Sequence, residues 1–161
     1  MAELFLEVQE ILLGVDIRIE EKREANGAAV IREKIDAGFG SRSDWDKISA
    51  GGIDWQKRIR YNRSMMASLG VEVQVSARSD LLVRDIVHLR NSIDAGDIEA
   101  GIIVVPSDAM QSFLPDRTPS LSDAVKYIES EFKEAMTMPL IVIAVEHDGT
   151  GPATAKRKRR A

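Results

Sequence analysis

LGVEVQVSARSDLLVRDIVHLRNSIDAGDIEAGIIVVP, residues 69–106, is the stretch that decides the fold. Residues 71–75 alternate valine with a polar residue, and successive side chains of a strand point to opposite faces. The pattern predicts a strand whose valines enter a core while Glu72 and Gln74 lie on the other face, about 7 Å apart along the strand. That polar pair has two interpretations, a solvated strand face or a cleft lined by functional groups.

The rest of this stretch predicts a helix and a second strand. Residues 79–93 place Leu82, Ile86, Leu89 and Ile93 on one helical face, with Ser79 and Asp80 as capping candidates and Gly96 just past the end. Residues 101–106 are a continuous apolar run, which is typical of a buried strand. Two strands joined through a helix must pair in parallel.

The flanking segments extend this unit in both directions. Residues 53–61 and 65–75, separated by a short polar turn, predict an antiparallel β-hairpin. A second helix, begun by Ser120 or Ser122, leads into the apolar run 140–145, which we expect to be another central strand. The predicted fold class is α/β, with a mixed central sheet and helices on both of its faces.

The two ends of the chain carry weaker patterns. Residues 1–14 predict an amphipathic helix, residues 15–20 a short strand, and residues 26–37 a helix capped by Asn26 and closed by Gly38. We expect residues 1–148 to form one domain. Residues 149–161 are predicted to form a basic, disordered tail.

Composition excludes several classes of protein. The chain has 161 residues, no cysteine and near-average hydrophobic content, so disulfides, cysteine-based zinc sites and thiol nucleophiles are excluded. No apolar run is long enough for a membrane span and the N-terminus lacks a secretory pattern, so we expect a soluble cytoplasmic protein. The net charge is −4 although five basic residues end the chain, so the body is acidic and nucleic-acid binding would require local basic patches and a cation.

A candidate metal site follows from the hairpin. Asp54 begins one strand, and an antiparallel partner can bring it opposite Glu72. Two converging carboxylates repel each other, and a hard divalent ion such as Mg²⁺ resolves that conflict. The carbonyl of Val73 could add a third ligand, and Gln74 could orient a water molecule through its amide.

Three segments carry a family resemblance: GIDW (52–55), LGVEVQVSARSDLL (69–82) and EAGIIVVPS (99–107). Together they resemble the BglII-type restriction endonucleases, a branch of the PD-(D/E)xK nuclease superfamily in which the pattern is D…E-x-Q. Asp54, Glu72 and Gln74 match that pattern. The resemblance implies a restriction-endonuclease-like fold and a type II, site-specific enzyme that cuts DNA with Mg²⁺, or Mn²⁺ as a substitute. It also implies a homodimer acting on a palindromic site.

The resemblance also implies further site residues. Glu33, on the early helix, matches a position where related nucleases place an additional acidic group, and a surface salt bridge is the alternative. If Asp54 is not the ligand, Asp46 or Asp44 is the substitute. The expected DNA contacts to bases are Ser76, Arg78, Asp116, Arg117 and Thr118. The expected contacts to phosphates are the stripe Lys57, Arg58, Arg60 and Arg63, and the basic tail, with solvated surface as the alternative.

Other polar residues are assigned ordinary roles at this point. We expect His88 and His147 to be unremarkable surface residues, and Asp80 and Asp85 to serve in capping and ion pairing.

Two other functions stay open. The chain could be a DNA-binding module or partner subunit on the same fold that no longer cleaves, because glutamine replaces the usual lysine. It could also be a small-molecule α/β binding protein, although no glycine-rich phosphate loop follows a strand. The recognition sequence, the cut stagger and the existence of a partner methyltransferase are beyond what these residues predict.

Overall fold

The computed structural model describes residues 1–48, 52–62, 64–133 and 137–156. The helices are α1 Ala2–Leu13, α2 Ala28–Gly40, α3 Asp80–Asp94, α4 Asp108–Gln111 and α5 Leu121–Lys126, the last continued by a π-helical turn, Tyr127–Glu131. The strands are β1 Arg18–Ile19, β2 Asp46–Lys47, β3 Trp55–Tyr61, β4 Ser64–Val73, β5 Ala100–Pro106, β6 Leu140–Val145 and β7 Gly149–Thr150. None of the helices in the described ranges is long and apolar enough to cross a membrane.

Five strands form a mixed sheet in the order β2-β3-β4-β5-β6. β3 and β4 form the predicted antiparallel hairpin, with Trp55 opposite Val71, whereas β4, β5 and β6 run parallel. The predicted mixed α/β fold is therefore confirmed. The expectation that β6 is central is wrong, since β6 ends the described sheet and most of its residues are only half-buried.

The alternation in β4 sends its side chains into different environments. Val71, Val73 and Val75 are buried in a core that also contains residues of α1 and α2, while Glu72 and Gln74 are buried on the face that carries α3. β5 contributes apolar side chains to both cores, which explains why its sequence does not alternate. The polar pair of β4 is therefore enclosed rather than solvated.

Gly70 of β4 packs against the ends of apolar side chains. A Cβ atom added at Gly70 would lie 2.7 Å from Cδ1 of Ile98 and 2.8 Å from Cδ1 of Ile53. A larger residue at position 70 would therefore require both isoleucine side chains to shift.

The helix starts differ in part from the sequence prediction. Ser120 is the cap of α5, where it forms a capping box with Asp123. The prediction that Asn26 caps α2 is wrong, because α2 begins after Gly27 and receives no side-chain cap. Asn26 instead binds backbone groups of three separate segments, at Glu20, Phe113 and Thr154.

The predicted disordered tail is ordered over residues 149–156. β7 pairs in parallel with β1, and Thr154 exchanges backbone and hydroxyl hydrogen bonds with Gly27. A Cβ atom at Gly27 would lie 1.9 Å from the carbonyl oxygen of Ala155, so glycine is what allows this close approach. The prediction of disorder is wrong for these residues, and the rest of the basic tail, residues 157–161, lies outside the described ranges.

Candidate active site

Asp54 and Glu72 meet at the end of the hairpin. Asp54 precedes β3, and its Oδ2 accepts a hydrogen bond of 2.8 Å from the backbone N–H of Val73, which fixes the carboxylate beside the carboxyl end of β4. The side chain of Glu72 lies within hydrogen-bonding reach of Asp54. The two carboxyl groups that the sequence paired are therefore together in space.

Glu72 is held in an environment that disfavours its charge. Its side chain is almost completely buried, at 2% exposure for the residue. Burial, followed by the negative charge and hydrogen bond of Asp54 and the charge of Asp85, raises the pKa of Glu72 from 4.5 to about 10. At neutral pH the pair therefore retains a proton, and a bound cation could take the place of that proton.

Helix α3 supplies two more groups to this cluster. Nδ1 of His88 lies 3.1 Å from Oε1 of Glu72, and ligand atoms of Glu72, Asp85 and His88 all lie within 4.8 Å of one another. Burial and the charge of Asp54 raise the pKa of Asp85 to about 7. Burial and the charge of Arg84 lower the pKa of His88, so the imidazole is neutral at pH 7 and available as a ligand.

The sequence analysis missed Asp85 and His88 as site residues. Asp85 does pair with a cation, Arg84 at 3.6 Å, as expected, but it is also buried beside the acidic pair. The spacing gave a hint only for Asp85, which lies next to the apolar stripe of α3, whereas His88 lies further round the helix. A charged residue beside a buried helical stripe is a candidate for a polar site beneath the helix.

Arg32 of α2 reaches the same corner from the other face of the sheet. Its Nη2 lies 2.7 Å from Oδ1 of Asp54, and its Nη1 donates to the carbonyl oxygen of Val73. Its Nε donates to Oδ2 of Asp36 at 3.1 Å, and Asp36 is in turn bound by Trp55 and Lys47. The carbonyl predicted as a metal ligand thus accepts a hydrogen bond from a guanidinium.

Gln74 is buried at the start of the loop after β4. Its Nε2 donates to the hydroxyl oxygen of Ser76 and to the carbonyl oxygen of Arg78, both at 3.0 Å. Since a carbonyl oxygen can only accept, the amide orientation is fixed, and both Nε2 hydrogens are used within the loop. The Oε1 atom is the part of Gln74 that can accept a hydrogen bond from a water molecule.

A cleft of about 630 Å³ opens on the α2 side of the sheet, and Asp54, Glu72 and Gln74 are not among the residues that line it. Arg32, Glu33, Ser76, Pro115 and Lys156 are among the residues that line it. Glu33 is exposed at its edge and is not a member of the Glu72–Asp85–His88 cluster found within the described residues. The cleft brings the predicted loops after β4 and after α4 to one opening.

The predicted base-contacting residues divide into exposed and buried positions. Arg78, Asp116 and Arg117 are exposed, and Arg78 is paired with Asp80 at 2.6 Å. Thr118 is buried, with its hydroxyl donating to the carbonyl oxygen of Pro115 at 2.7 Å. The Thr118 side chain therefore has its hydrogen-bond partner within its own loop.

The predicted basic stripe does not lie on one face. Lys57 binds Glu7 of α1 at 2.6 Å and also Asp44, and its side chain is only 12% exposed. Arg58 binds Asp97 at 3.1 Å, beyond α3, and strand alternation places the exposed Arg60 on that same side. Lys57 therefore forms structural ion pairs with these two carboxylates. Arg63 lies outside the described residues.

The alternative metal ligands are placed away from Glu72. Asp44 pairs with Lys57, and Asp46 lies exposed in β2, opposite Gln56. Asp54 is the acidic residue of this segment whose carboxylate reaches Glu72.

Comparison with known proteins gives one family. The family model described as restriction endonuclease BglII/BglIII matches residues 1–145, which is most of the chain. No curated protein sequence matches the chain.

Proposed function

The chain belongs to the BglII/BglIII restriction endonuclease family, and from that premise we propose that it is a Mg²⁺-dependent, sequence-specific endonuclease of double-stranded DNA. The observation that carries the proposal is the meeting of Asp54 with the buried Glu72, which Asp85 and His88 also border. A buried carboxyl group beside a second carboxylate is suited to a hard divalent cation.

The oxygen atoms available at this site support the proposal of a divalent cation. Asp54, Glu72 and the carbonyl oxygen of Val73 would hold the cation, since hard cations prefer oxygen ligands. When bound, Mg²⁺ would stabilise charge on the phosphate and favour ionisation of water. Asp85 and the neutral His88 border the same carboxylate and could bind the cation from the α3 side.

The remaining residues would position water and DNA. Gln74 would accept a hydrogen bond from the attacking water through Oε1, because its amide nitrogen is committed to the loop. Ser76, Arg78, Asp116 and Arg117, in the loops after β4 and after α4, would contribute contacts to DNA, and arginine is suited to guanine edges. These groups bind and orient substrate and form no covalent intermediate with it.

We also propose a homodimer, because cutting both strands of a palindromic site requires one active centre per strand. Sedimentation of the protein bound to duplex DNA measures this directly. A complex that contains one protein chain per duplex would rule the dimer out.

Plasmid cleavage tests the proposed activity. Purified protein is incubated with supercoiled plasmid and mixed genomic DNA in Mg²⁺, and new ends are sequenced. We expect nicked or linear product with a common end sequence, no product in chelator, and no product with Glu72→Ala. Mg²⁺-dependent cleavage that survives Glu72→Ala would rule out this mechanism.

The same experiment decides between the enzyme and a non-cleaving DNA-binding module. The module is favoured by one observation, the neutral Gln74 where related nucleases carry a lysine. It predicts salt-sensitive retardation of duplex DNA with no product even at large protein excess. One defined cleavage product would eliminate it.

A further inference from the structure

The guanidinium of Arg32 contacts two of the oxygens that a cation would use. Nη2 lies 2.7 Å from Oδ1 of Asp54, and Nη1 donates to the carbonyl oxygen of Val73. Mg²⁺ binds oxygen ligands at about 2.1 Å, so a metal ion on these atoms would lie against the guanidinium. Two positive groups at that separation repel each other strongly in a half-buried corner.

The position of Arg32 is set by a network rather than by one contact. Nε donates to Asp36 at 3.1 Å, and Asp36 also accepts from Nε1 of Trp55 at 2.8 Å and from Lys47 at 3.1 Å. The Arg32 side chain is 29% exposed and that of Asp54 is 25% exposed, so water screens the pair only in part. The planar fork is therefore held with its two Nη groups directed at the two oxygens.

We propose that Arg32 is a built-in competitor of the divalent cation, so that cation binding must detach the guanidinium from Asp54 and Val73. The inference rests on the proposed function, because it assumes a cation site at Asp54 and Glu72. It assigns Arg32 a positioning role: the side chain holds the two ligand oxygens together and sets the cation concentration at which they are released. Arg32 also lines the cleft on the α2 side of the sheet.

Mn²⁺ binding in solutions without DNA tests this proposal. Free Mn²⁺ is followed by electron paramagnetic resonance during titration of the wild-type protein, Arg32→Met and Arg32→Lys. Removing two charge-assisted hydrogen bonds should make Mn²⁺ bind roughly tenfold more tightly to Arg32→Met. Arg32→Lys should give an intermediate affinity, because an ammonium is a point charge that cannot span both oxygens.

A matched control is Arg58→Met. Arg58 also pairs with a carboxylate, Asp97 at 3.1 Å, but that pair lies at the other end of α3. We expect its Mn²⁺ affinity to equal that of the wild-type protein. Circular dichroism and the unfolding midpoint establish that each variant is folded, and the lysine variant keeps the test available if the methionine variant is not.

Two failures are distinguishable with Glu72→Gln as a reference. If the wild-type protein binds Mn²⁺ more tightly than Glu72→Gln, but Arg32→Met binds no more tightly than wild type, the competition proposal is wrong and the cation site stands. If neither wild type nor Arg32→Met exceeds Glu72→Gln, the cation site itself is wrong, and the proposed function fails with it.

Discussion

Asp36 and Glu72 are two acidic residues on opposite sides of the same corner. The charged groups next to Asp36 are positive, whereas those next to Glu72 are mostly negative. Asp36 accepts hydrogen bonds from Arg32, Lys47 and Trp55. Burial alone would raise its pKa, but the Trp55 hydrogen bond and the positive charge of Arg32 outweigh burial and lower it. Glu72 is buried and lies next to the negative groups Asp54 and Asp85. Burial and these two charges raise its pKa to about 10.

The difference separates a carboxylate whose charge is balanced within the protein from one whose charge is not. Asp36 has its charge balanced within the protein and ties α2 to β3. Glu72 has no such balance, because Arg32 lies on the far side of Asp54 and only partly offsets the negative groups. A carboxyl group kept in an unfavourable state is available for a ligand of opposite charge, and perturbed groups of this kind concentrate at functional sites.

The largest expected effect is on DNA cleavage. Glu72→Gln should lower Mg²⁺-dependent cleavage by roughly 1,000-fold or more, since it removes a charged oxygen that would hold the cation. Single-turnover cleavage of plasmid DNA measures the effect. Asp44→Asn, an acidic residue paired with Lys57, serves as the control and should cleave within about threefold of wild type. Equal losses in the two variants would return Asp44 to consideration as the metal ligand.

The pH dependence of stability should expose the unfavourable state of Glu72. Because its folded pKa is raised from 4.5 to about 10, the folded protein keeps a proton that the unfolded chain releases. Stability from this group is full below pH 4.5 and falls by at most about 1.4 kcal/mol per pH unit up to pH 10.

Glu72→Gln cannot ionise, so it should lack this decline and be more stable than wild type by about 1–3 kcal/mol at pH 8. Urea unfolding in chelator between pH 7.5 and 9 measures the difference in a range where Asp85 has already ionised. Parallel pH profiles for the two proteins would contradict the assignment.

Replacing Asp36 should change the free energy of unfolding in the opposite direction from replacing Glu72. Asp36→Asn should lower the free energy of unfolding at pH 7 by about 1–3 kcal/mol, because it weakens charge-assisted bonds to Arg32 and Lys47. Since the folded pKa of Asp36 is lowered, its contribution is present at neutral pH and is lost as pH falls below 3.8. Chemical denaturation at pH 7 and pH 3.5 should therefore show a smaller difference at the lower pH. A stabilising effect of Asp36→Asn at pH 7 would be incompatible with the comparison.

The smallest effect is expected from the basic residues near the end of the chain. Thr154, two residues before the first of them, is bonded to Gly27. In the Glu72→Gln background, where we expect little cleavage, truncation after Ala155 should reduce the slope of log affinity against log salt by about 1–4. Fluorescence anisotropy with one DNA duplex measures this slope. The salt concentration is varied from roughly 50 to 200 mM, a range over which DNA affinity changes strongly. An unchanged slope would place the tail outside the DNA interface.

The sequence by itself determined the hairpin, α3, β5 and the mixed sheet, because each depends on the spacing of apolar residues within one segment. It also placed Glu72 and Gln74 on the face opposite the valines, since strand alternation is a local property. Prediction was weaker where segments are short: β2 and β7 have two residues each, and their pairing partners define them more than their own composition does.

Only the tertiary structure decided which groups surround Glu72. The hairpin predicted Asp54, but Arg32, Asp85 and His88 come from two helices, and their convergence depends on how those helices pack on the sheet. The same holds for Lys57 and Thr118, whose side chains turn to structural partners. Electrostatic interactions act through space over a few ångströms, and distance along the chain does not reveal which charges will be neighbours.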